Sequence, residues 1–421
     1  MLNSPSTLPL SRKQLRSVAR AQARINIWHG AVRSGKTVAS LLAFLLAVAE
    51  APPSGLIVIV GRSLQTIERN VLEPLGDTSL FGPVAASHVR HTRGATTAVI
   101  LGRTVHLIGA ADSRAEGRLR GLTASLAYVD EATLIPEAMW TQLLARLSVP
   151  GAKLLATTNP DSPQHWLKSG YLDRAAELDL RAWHFKLADN PSLTAAYVAS
   201  LAAEFVGLWR RRMIDGAWVI AEGAIYDQFD EQQHVVDTLP AITRHWVGLD
   251  YGTVNPFAAL VLGLGDDGRL YVVAEWRHDS RKARRQMTDA QYSAALRGWL
   301  AGLQVDPEWT FVDPSAASFL AQLWEDGHPG VTRAKNDVLD GIRTVSTALA
   351  AGLLRIHRSC TGLLAELPDY VWDAAAAKVG EDRPLKRNDH SADALRYVVH
   401  STGAEWRHLL QHQGVSADAP A

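Results

Sequence analysis

Eight residues constrain this chain more than any others. Gly30-Ala31-Val32-Arg33-Ser34-Gly35-Lys36-Thr37 holds the full spacing G-x-x-x-x-G-K-[ST] of a phosphate-binding loop. Such a loop works only between a strand and a helix. Its glycines let backbone N–H groups wrap a phosphate, Lys36 sets a positive charge between the outer phosphates, and Thr37 offers a hydroxyl to magnesium. The flanks comply: Ile25 to His29 is a short strand-like run, and Val38 to Ala49 reads as one apolar helix whose N-terminus faces the phosphates. A chance glycine-rich turn before a core helix is the plainer reading, but strand, loop and helix arrive in the order that phosphate binding requires. An α/β nucleotide-binding domain is therefore expected, with Gly30, Arg33, Ser34, Gly35, Lys36 and Thr37 around ATP and Mg2+.

At 421 residues the chain is longer than one core usually serves, so two domains of roughly 200 residues each are expected. With 47% apolar and 20% charged residues, the composition excludes a disordered class. Lys plus Arg equals Asp plus Glu at 43 each, so any nucleic-acid contact has to be a local patch. One cysteine, Cys360, excludes an intramolecular disulfide framework. No run is long and apolar enough to span a bilayer, and the N-terminus carries no signal-peptide pattern. The expectation is a soluble protein of the cytoplasm.

A basic helix is expected from Ser11 to about Ala23, a buried strand at Leu56 to Val60, and a hairpin or two short strands at Val99–Leu101 and Val105–Ile108, which flank Gly102-Arg103. Ala110 to Gly121 reads as a polar loop carrying Arg114, Arg118 and Arg120. Leu126-Ala127-Tyr128-Val129-Asp130-Glu131 is the second chemical element: an apolar strand ending in two carboxylates. With the phosphate loop upstream it forms a Walker B arrangement, in which Asp130 holds the magnesium ion and Glu131 orients or deprotonates the attacking water. Another strand, Lys153 to Ala156, ends in Thr157-Thr158-Asn159-Pro160. An amphipathic helix is read over Tyr197 to Trp209, with Arg210-Arg211-Arg212 at its end suited to DNA phosphates or to a solvated helix terminus.

Glycines and a polar run place a joint within 221–243. Beyond it, Trp246 to Gly252 reads as a strand with Asp250 near its end, followed by strands at Ala258 to Leu264 and Leu270 to Glu275. Thr310-Phe311-Val312 delivers Asp313, and Asn388 to Tyr397 reads as a helix with His390 and Asp393 on one face. Singly, each acid is ordinary at a strand end or helix cap. Together, Asp250, Asp313 and Asp393 come from two strands and a helix, as a two-metal phosphodiester cut requires. Glu275 and Asp389 are secondary candidates, and Lys335 is a candidate groove residue. Arg277 to Arg285 carries five basic residues and reads equally as a DNA contact or a solvated loop.

The order of phosphate loop, Asp-Glu strand, and Thr-Thr-Asn-Pro strand followed by His165-Trp166 resembles the ATPase half of the large terminase subunit of tailed bacteriophages and prophages. The Asp-His-x-x-Asp-Ala-x-Arg-Tyr ending at 389–397 is similar to the nuclease half, so the resemblance spans roughly residues 20 to 405. It implies a P-loop NTPase domain with a mainly parallel sheet at 1–225, a linker at 226–243, an RNase H-like nuclease domain at 244–405 and a flexible tail at 406–421. It also implies that Thr157, Thr158 and Asn159 sense the γ-phosphate, and that Arg33 acts as an arginine finger in cis, unless Arg114, Arg118 or Arg120 serves in trans. His390 would stand beside Asp250, Asp313 and Asp393, which would hold two Mg2+ or Mn2+ ions. The implied partners are double-stranded DNA, a small terminase subunit and the portal protein of a procapsid, on which the subunits form a ring, five by expectation. The implied activity is ATP-driven packaging of viral DNA with endonucleolytic cutting of concatemers. Two other readings remain open: a motor with a non-cutting RNase H-like binding domain, and a regulatory ATPase switch.

Overall fold

The computed structural model describes residues 10–110, 117, 119, 121–252 and 256–411. Arg114, Arg118 and Arg120, the candidates for a finger in trans, lie outside the described residues. The chain divides into two compact units, one of residues 1–198, 208–220 and 378–381, the other of 199–207, 221–377 and 382–421.

The first unit is built on an eight-stranded sheet. Its strands are β1 (Ile25–Gly30), β2 (Leu56–Gly61), β3 (Val89–His91), β4 (Thr97–Ile100), β5 (Arg103–Gly109), β6 (Ala124–Val129), β7 (Lys153–Thr158) and β8 (Leu180–Phe185), in the order β3-β4-β5-β2-β6-β7-β1-β8. All pairings from β5 to β8 are parallel, and only β3, β4 and β5 meet antiparallel. Of the two readings left open around Gly102-Arg103, the structure has the hairpin, the β4–β5 turn, where Leu101 (φ 49°) and Gly102 (φ 76°) both take the left-handed conformation that a tight hairpin turn demands.

Both faces of this sheet are covered, which is why its central strands read as unbroken apolar runs. Alternate residues enter opposite cores. Trp28, Ile59, Tyr128 and Leu155 pack with Leu41, Phe44 and Val48 of helix α1 (Lys36–Glu50). Ile27, Val58, Val129 and Ala156 pack with Met139, Trp140 and Leu143 of helix α2 (Glu137–Arg146). Because the inner strands are parallel, the phosphate loop after β1, the carboxylates after β6 and the polar turn after β7 emerge at one edge, where ligands collect in such sheets.

The second unit holds a seven-stranded sheet made of β9 (Val235–Val236), β10 (Ile242–Asp250), β11 (Phe257–Gly265), β12 (Leu270–His278), β13 (Trp309–Val312), β14 (Val331–Arg333) and β15 (Leu354–His357), in the order β14-β13-β10-β11-β12-β15-β9. β10, β11 and β12 form an antiparallel meander, to which the other strands add in parallel. One core joins Val247, Leu249, Phe257 and Val261 to Leu296 and Phe319 of helices α3 (Asp289–Gly302) and α4 (Ala317–Glu325). Two more helices matter below: α5 (Thr361–Asp369) and α6 (His390–Ser401). A Cβ on Gly248 of β10 would lie 2.3 Å from the carbonyl oxygen of Ala394 in α6, so only glycine lets that helix rest directly on the strand.

Three expectations about order along the chain are corrected. Residues 226–243, expected as a linker, contain a short helix (Glu231–His234) and β9, which pairs with β15 inside the second unit. The expected helix 197–209 stops at Glu204 and resumes at Gly207, whose φ of 50° breaks it. The expected tail from 406 begins with a fully buried side chain: Trp406 donates its indole N–H to Val399 O at 3.1 Å, and helical structure continues to Gln411.

Candidate functional site

The phosphate loop is shaped by close backbone approaches. Gly30 has φ 137°, and a Cβ there would lie 1.9 Å from Phe185 O; Ala31 N donates to that same oxygen at 2.7 Å and Val32 N to Met213 O at 2.8 Å. Gly35 turns the chain into α1 at φ 79°. Six non-glycine residues have a positive φ among those described. Three of them belong to the candidate sites: Arg33 (53°), Glu131 (52°) and Asn388 (50°). Left-handed backbone outside glycine costs of order 1 kcal/mol or more and gathers where a site demands it.

Lys36 is 4% exposed. Its ammonium donates to Ala31 O at 3.1 Å and to Asn159 Oδ1 at 2.6 Å. Burial lowers its pKa, while Glu131 and Asp130 pull the other way. Asn159 in turn donates through Nδ2 to both oxygens of Glu131, at 3.2 and 3.1 Å, and through its backbone N–H to Oε2 at 3.3 Å. One amide thus bridges the loop lysine and the candidate base. Asp130 is buried, accepts from Thr157 Oγ1 at 3.2 Å and from Asn70 Nδ2 at 2.9 Å, and has its pKa raised to about 6 by burial and then by Glu131. Thr158 instead shares a hydrogen bond with Thr133 Oγ1 at 2.8 Å. Gly30, Ser34, Gly35, Lys36, Asp130, Glu131, Thr157 and Asn159 therefore form one connected arrangement. Thr37 lies at the same edge in the first turn of α1, and Arg33 is exposed at the loop's tip while Asn190 Nδ2 donates to its carbonyl at 2.7 Å. Asn70, on a π-helical turn (Glu68–Leu72), carries no sequence signal for this role.

In the second unit, Asp250, Asp313, His390 and Asp393 line one cavity of about 810 Å³, together with Asp389 and Lys386. Asp250 ends β10 and Asp313 follows β13, its parallel neighbour, so the two carboxylates leave the sheet side by side. His390 Nδ1 lies 2.9 Å from Asp250 Oδ2. Burial opposes the imidazolium, but the hydrogen bond and charge of Asp250 outweigh it and raise the His390 pKa. The Asp250 carboxyl is itself pushed up, by burial first, with Asp393 and Asp313 adding to it against His390. Asp313 accepts from Tyr397 OH at 3.1 Å and Ser315 N at 2.8 Å. Asp393 is held by cations: Arg396 Nη2 at 3.0 Å and Lys386 Nζ at 2.8 Å. Hard oxygen donors with one imidazole suit Mg2+ or Mn2+. Among the described residues, however, no three His, Cys, Asp or Glu side chains converge as a ready-made metal cage.

Glu275 leaves the metal list. It is consumed by Ser391 Oγ at 2.6 Å and Gly362 N at 2.7 Å, away from the cavity lining. Beside it, Glu366 of α5 accepts from Ser391 N at 2.7 Å and Ala392 N at 3.0 Å, capping α6 from outside because Asp389 makes no side-chain cap. Arg277 faces Glu366 Oε1 at 2.6 Å, so it is withdrawn from the basic run 277–285. Arg212 of the Arg210–Arg212 cluster is likewise internal, 2% exposed and 3.1 Å from Asp161. Asn336, not Lys335, lines the cavity.

A parallel-sheet unit with a phosphate loop and paired carboxylates, and a mixed-sheet unit with clustered aspartates, define a chain that combines a P-loop NTPase fold with an RNase H-like fold. Residues 27–233 match the family model described as "Terminase large subunit, T4likevirus-type, N-terminal", and residues 247–402 match "Terminase RNaseH-like domain". The large terminase of a thermophilic bacteriophage is 34% identical with a TM-score of 0.83, over 94% of this chain and 100% of that one. The same thermophilic phage's protein in complex with ATP-gamma-S gives 36% identity and a TM-score of 0.81, over 93% and 99%. The large terminase subunit of Escherichia phage T5 is 27% identical over 281 residues, which is 63% of this chain and 62% of the T5 protein's length. The chain belongs to the large terminase subunit family of phage DNA packaging. No helix among the described residues is long and apolar enough to cross a membrane.

Proposed function

We propose that this chain hydrolyses ATP in its first unit to move double-stranded viral DNA into a procapsid, and cuts concatemeric DNA with its second. The observation that carries the first half is the bridge Lys36–Asn159–Glu131, a cation and a base held by one amide at the carboxyl edge of a parallel sheet. Lys36 and the loop N–H groups would bind the phosphates, Thr37 and Asp130 would hold Mg2+, Glu131 would take the proton of the attacking water, and Arg33 would reach the γ-phosphate. Thr157, fixed on Asp130, and Thr158, tied to Thr133 beyond the Asp-Glu pair, link this reading of the nucleotide to the next segment.

For the second half, Asp250, Asp313 and Asp393, with His390 beside Asp250, would hold Mg2+ or Mn2+, whose chemistry there is Lewis-acid polarisation of the phosphodiester. The small terminase subunit, the portal protein and a pentameric ring on it complete the proposed setting. One specific observation favours a second reading, a binding domain that does not cut: Asp393 is already paired with Lys386 and Arg396. A single assay separates them, following phosphate release and nicking of supercoiled plasmid with ATP and Mg2+ or Mn2+. Lys36→Ala is expected to abolish ATP turnover and leave nicking nearly intact, while Asp250→Asn does the reverse. Absence of nicking in the folded wild-type protein with either metal selects the binding-domain reading.

A further inference from the structure

Lys386 stands inside the acidic wall of the second unit's cavity, and the proposed function gives it no task. Its ammonium lies 3.0 Å from Asp389 Oδ2 and 2.8 Å from Asp393 Oδ2. The other oxygen of Asp393, Oδ1, accepts from Arg396 Nη2 at 3.0 Å and Nε at 3.2 Å. The two cations are held very differently. Arg396 is 2% exposed, and its Nη1 is also tied to Asn336 O at 3.2 Å, so it belongs to the core. The Lys386 side chain is 64% exposed, so only its amino end is engaged while the stem lies in solvent. An ammonium on a flexible stem can leave a carboxylate for water; a buried, bidentate guanidinium cannot do so without opening the core.

Without Lys386 the cavity would set Asp250, Asp313, Asp389 and Asp393 against one another, with Arg396 on Asp393, His390 on Asp250 and the exposed Arg387 of the lining left as counter-charges. We infer that Lys386 is a tethered stand-in for a divalent cation: its ammonium occupies the side of Asp393 that a metal needs, and a metal enters by displacing it. This rests on reading the cavity as a metal-dependent nuclease site. The exchange replaces one cation by another on the same carboxylates, so no bond is made or broken and no proton moves. It also accounts for an acidic cavity whose donors do not converge on one point. The consequence is a metal affinity set by competition, with the third carboxylate released only when the divalent ion outcompetes the lysine.

The test is manganese binding to the full-length chain without nucleotide or DNA, read as loss of the free Mn2+ signal in electron paramagnetic resonance, with thermal melting alongside. Lys386→Gln removes the competitor and is expected to tighten Mn2+ binding about tenfold or more, since one unit charge at contact distance is lost. It should also lower the melting temperature of the metal-free protein and enlarge the rise that Mn2+ produces. Lys386→Arg keeps a competing cation and is expected to stay near wild type. Asp250→Asn is the control for the cavity itself. If Asp250→Asn loses the binding event while Lys386→Gln binds Mn2+ no more tightly than wild type, the stand-in role is overturned and the metal site survives. If wild type, Asp250→Asn and Lys386→Gln bind alike, the metal reading fails and takes the inference with it.

Discussion

Asn159 is one side chain with two obligations. Its carbonyl oxygen accepts from Lys36 and its amide nitrogen donates to Glu131, so a phosphate that draws Lys36 away also alters what holds the base. Asn159→Ala is expected to bind nucleotide within a few-fold of wild type and to lower turnover about a hundredfold, the usual scale for a general base that has lost its orientation. Equilibrium binding of a nucleotide analogue beside steady-state phosphate release checks both numbers, and a wild-type rate would remove Asn159 from this role. His29, one residue before the loop, predicts a pH dependence. Burial first, and then His184, lower its pKa to about 3, and Trp218 Nε1 points at its Nδ1 from 3.3 Å, so a proton there would set donor against donor. The unfolded chain takes up that proton near pH 6.5 and the folded one does not. The resulting stability is present above pH 6.5 and is lost as pH falls towards 3, by about 1–2 kcal/mol at pH 5. His29→Gln is therefore expected to flatten this part of the melting-temperature profile between pH 7 and 5.

At the scale of elements, the cavity depends on how α6 is seated. Its N-terminal amides are capped by Glu366, its flank is fixed by Arg396, and its backbone meets β10 at Gly248 with no side chain between. Gly248→Ala would place a methyl 2.3 Å from Ala394 O and force helix and strand apart. The expected cost is about 2–3 kcal/mol, with nicking lost and ATP turnover retained, because His390 and Asp393 move away from Asp250 while the first unit is untouched. Chemical denaturation and the plasmid assay read the two effects. Wild-type stability in this variant would show that the helix is seated by its caps alone.

Across the whole molecule, what was legible in the sequence was what local pattern controls. The loop, the strand ending in Asp130-Glu131, the meander and the helix of His390 and Asp393 announce themselves by apolar runs that stop at a functional residue. The short strands β9 and β14 carry too few apolar residues to be read. Asn70, Thr133 and Glu366 carry no signal because their roles arise from approach in space, the first lying 60 positions from the carboxylate it holds, whereas Lys386 is only three and seven positions from its partners and its solvent-exposed stem reads as an ordinary surface lysine. Glu275 reads as a metal candidate because the apolar run from Leu270 stops there, but β12 continues to His278 and Ser391 and Gly362 consume the carboxylate.

The place of β9 carries a further consequence, one of timing. Val235 and Val236 are made before any other strand of their sheet, yet they lie at its edge and pair with Ile356 and His357 of β15. At roughly 5–20 residues per second on a ribosome, about ten seconds pass between the two syntheses. The first strand made is the last that can be placed, so the sheet of the second unit closes only after its last strand, β15, has emerged.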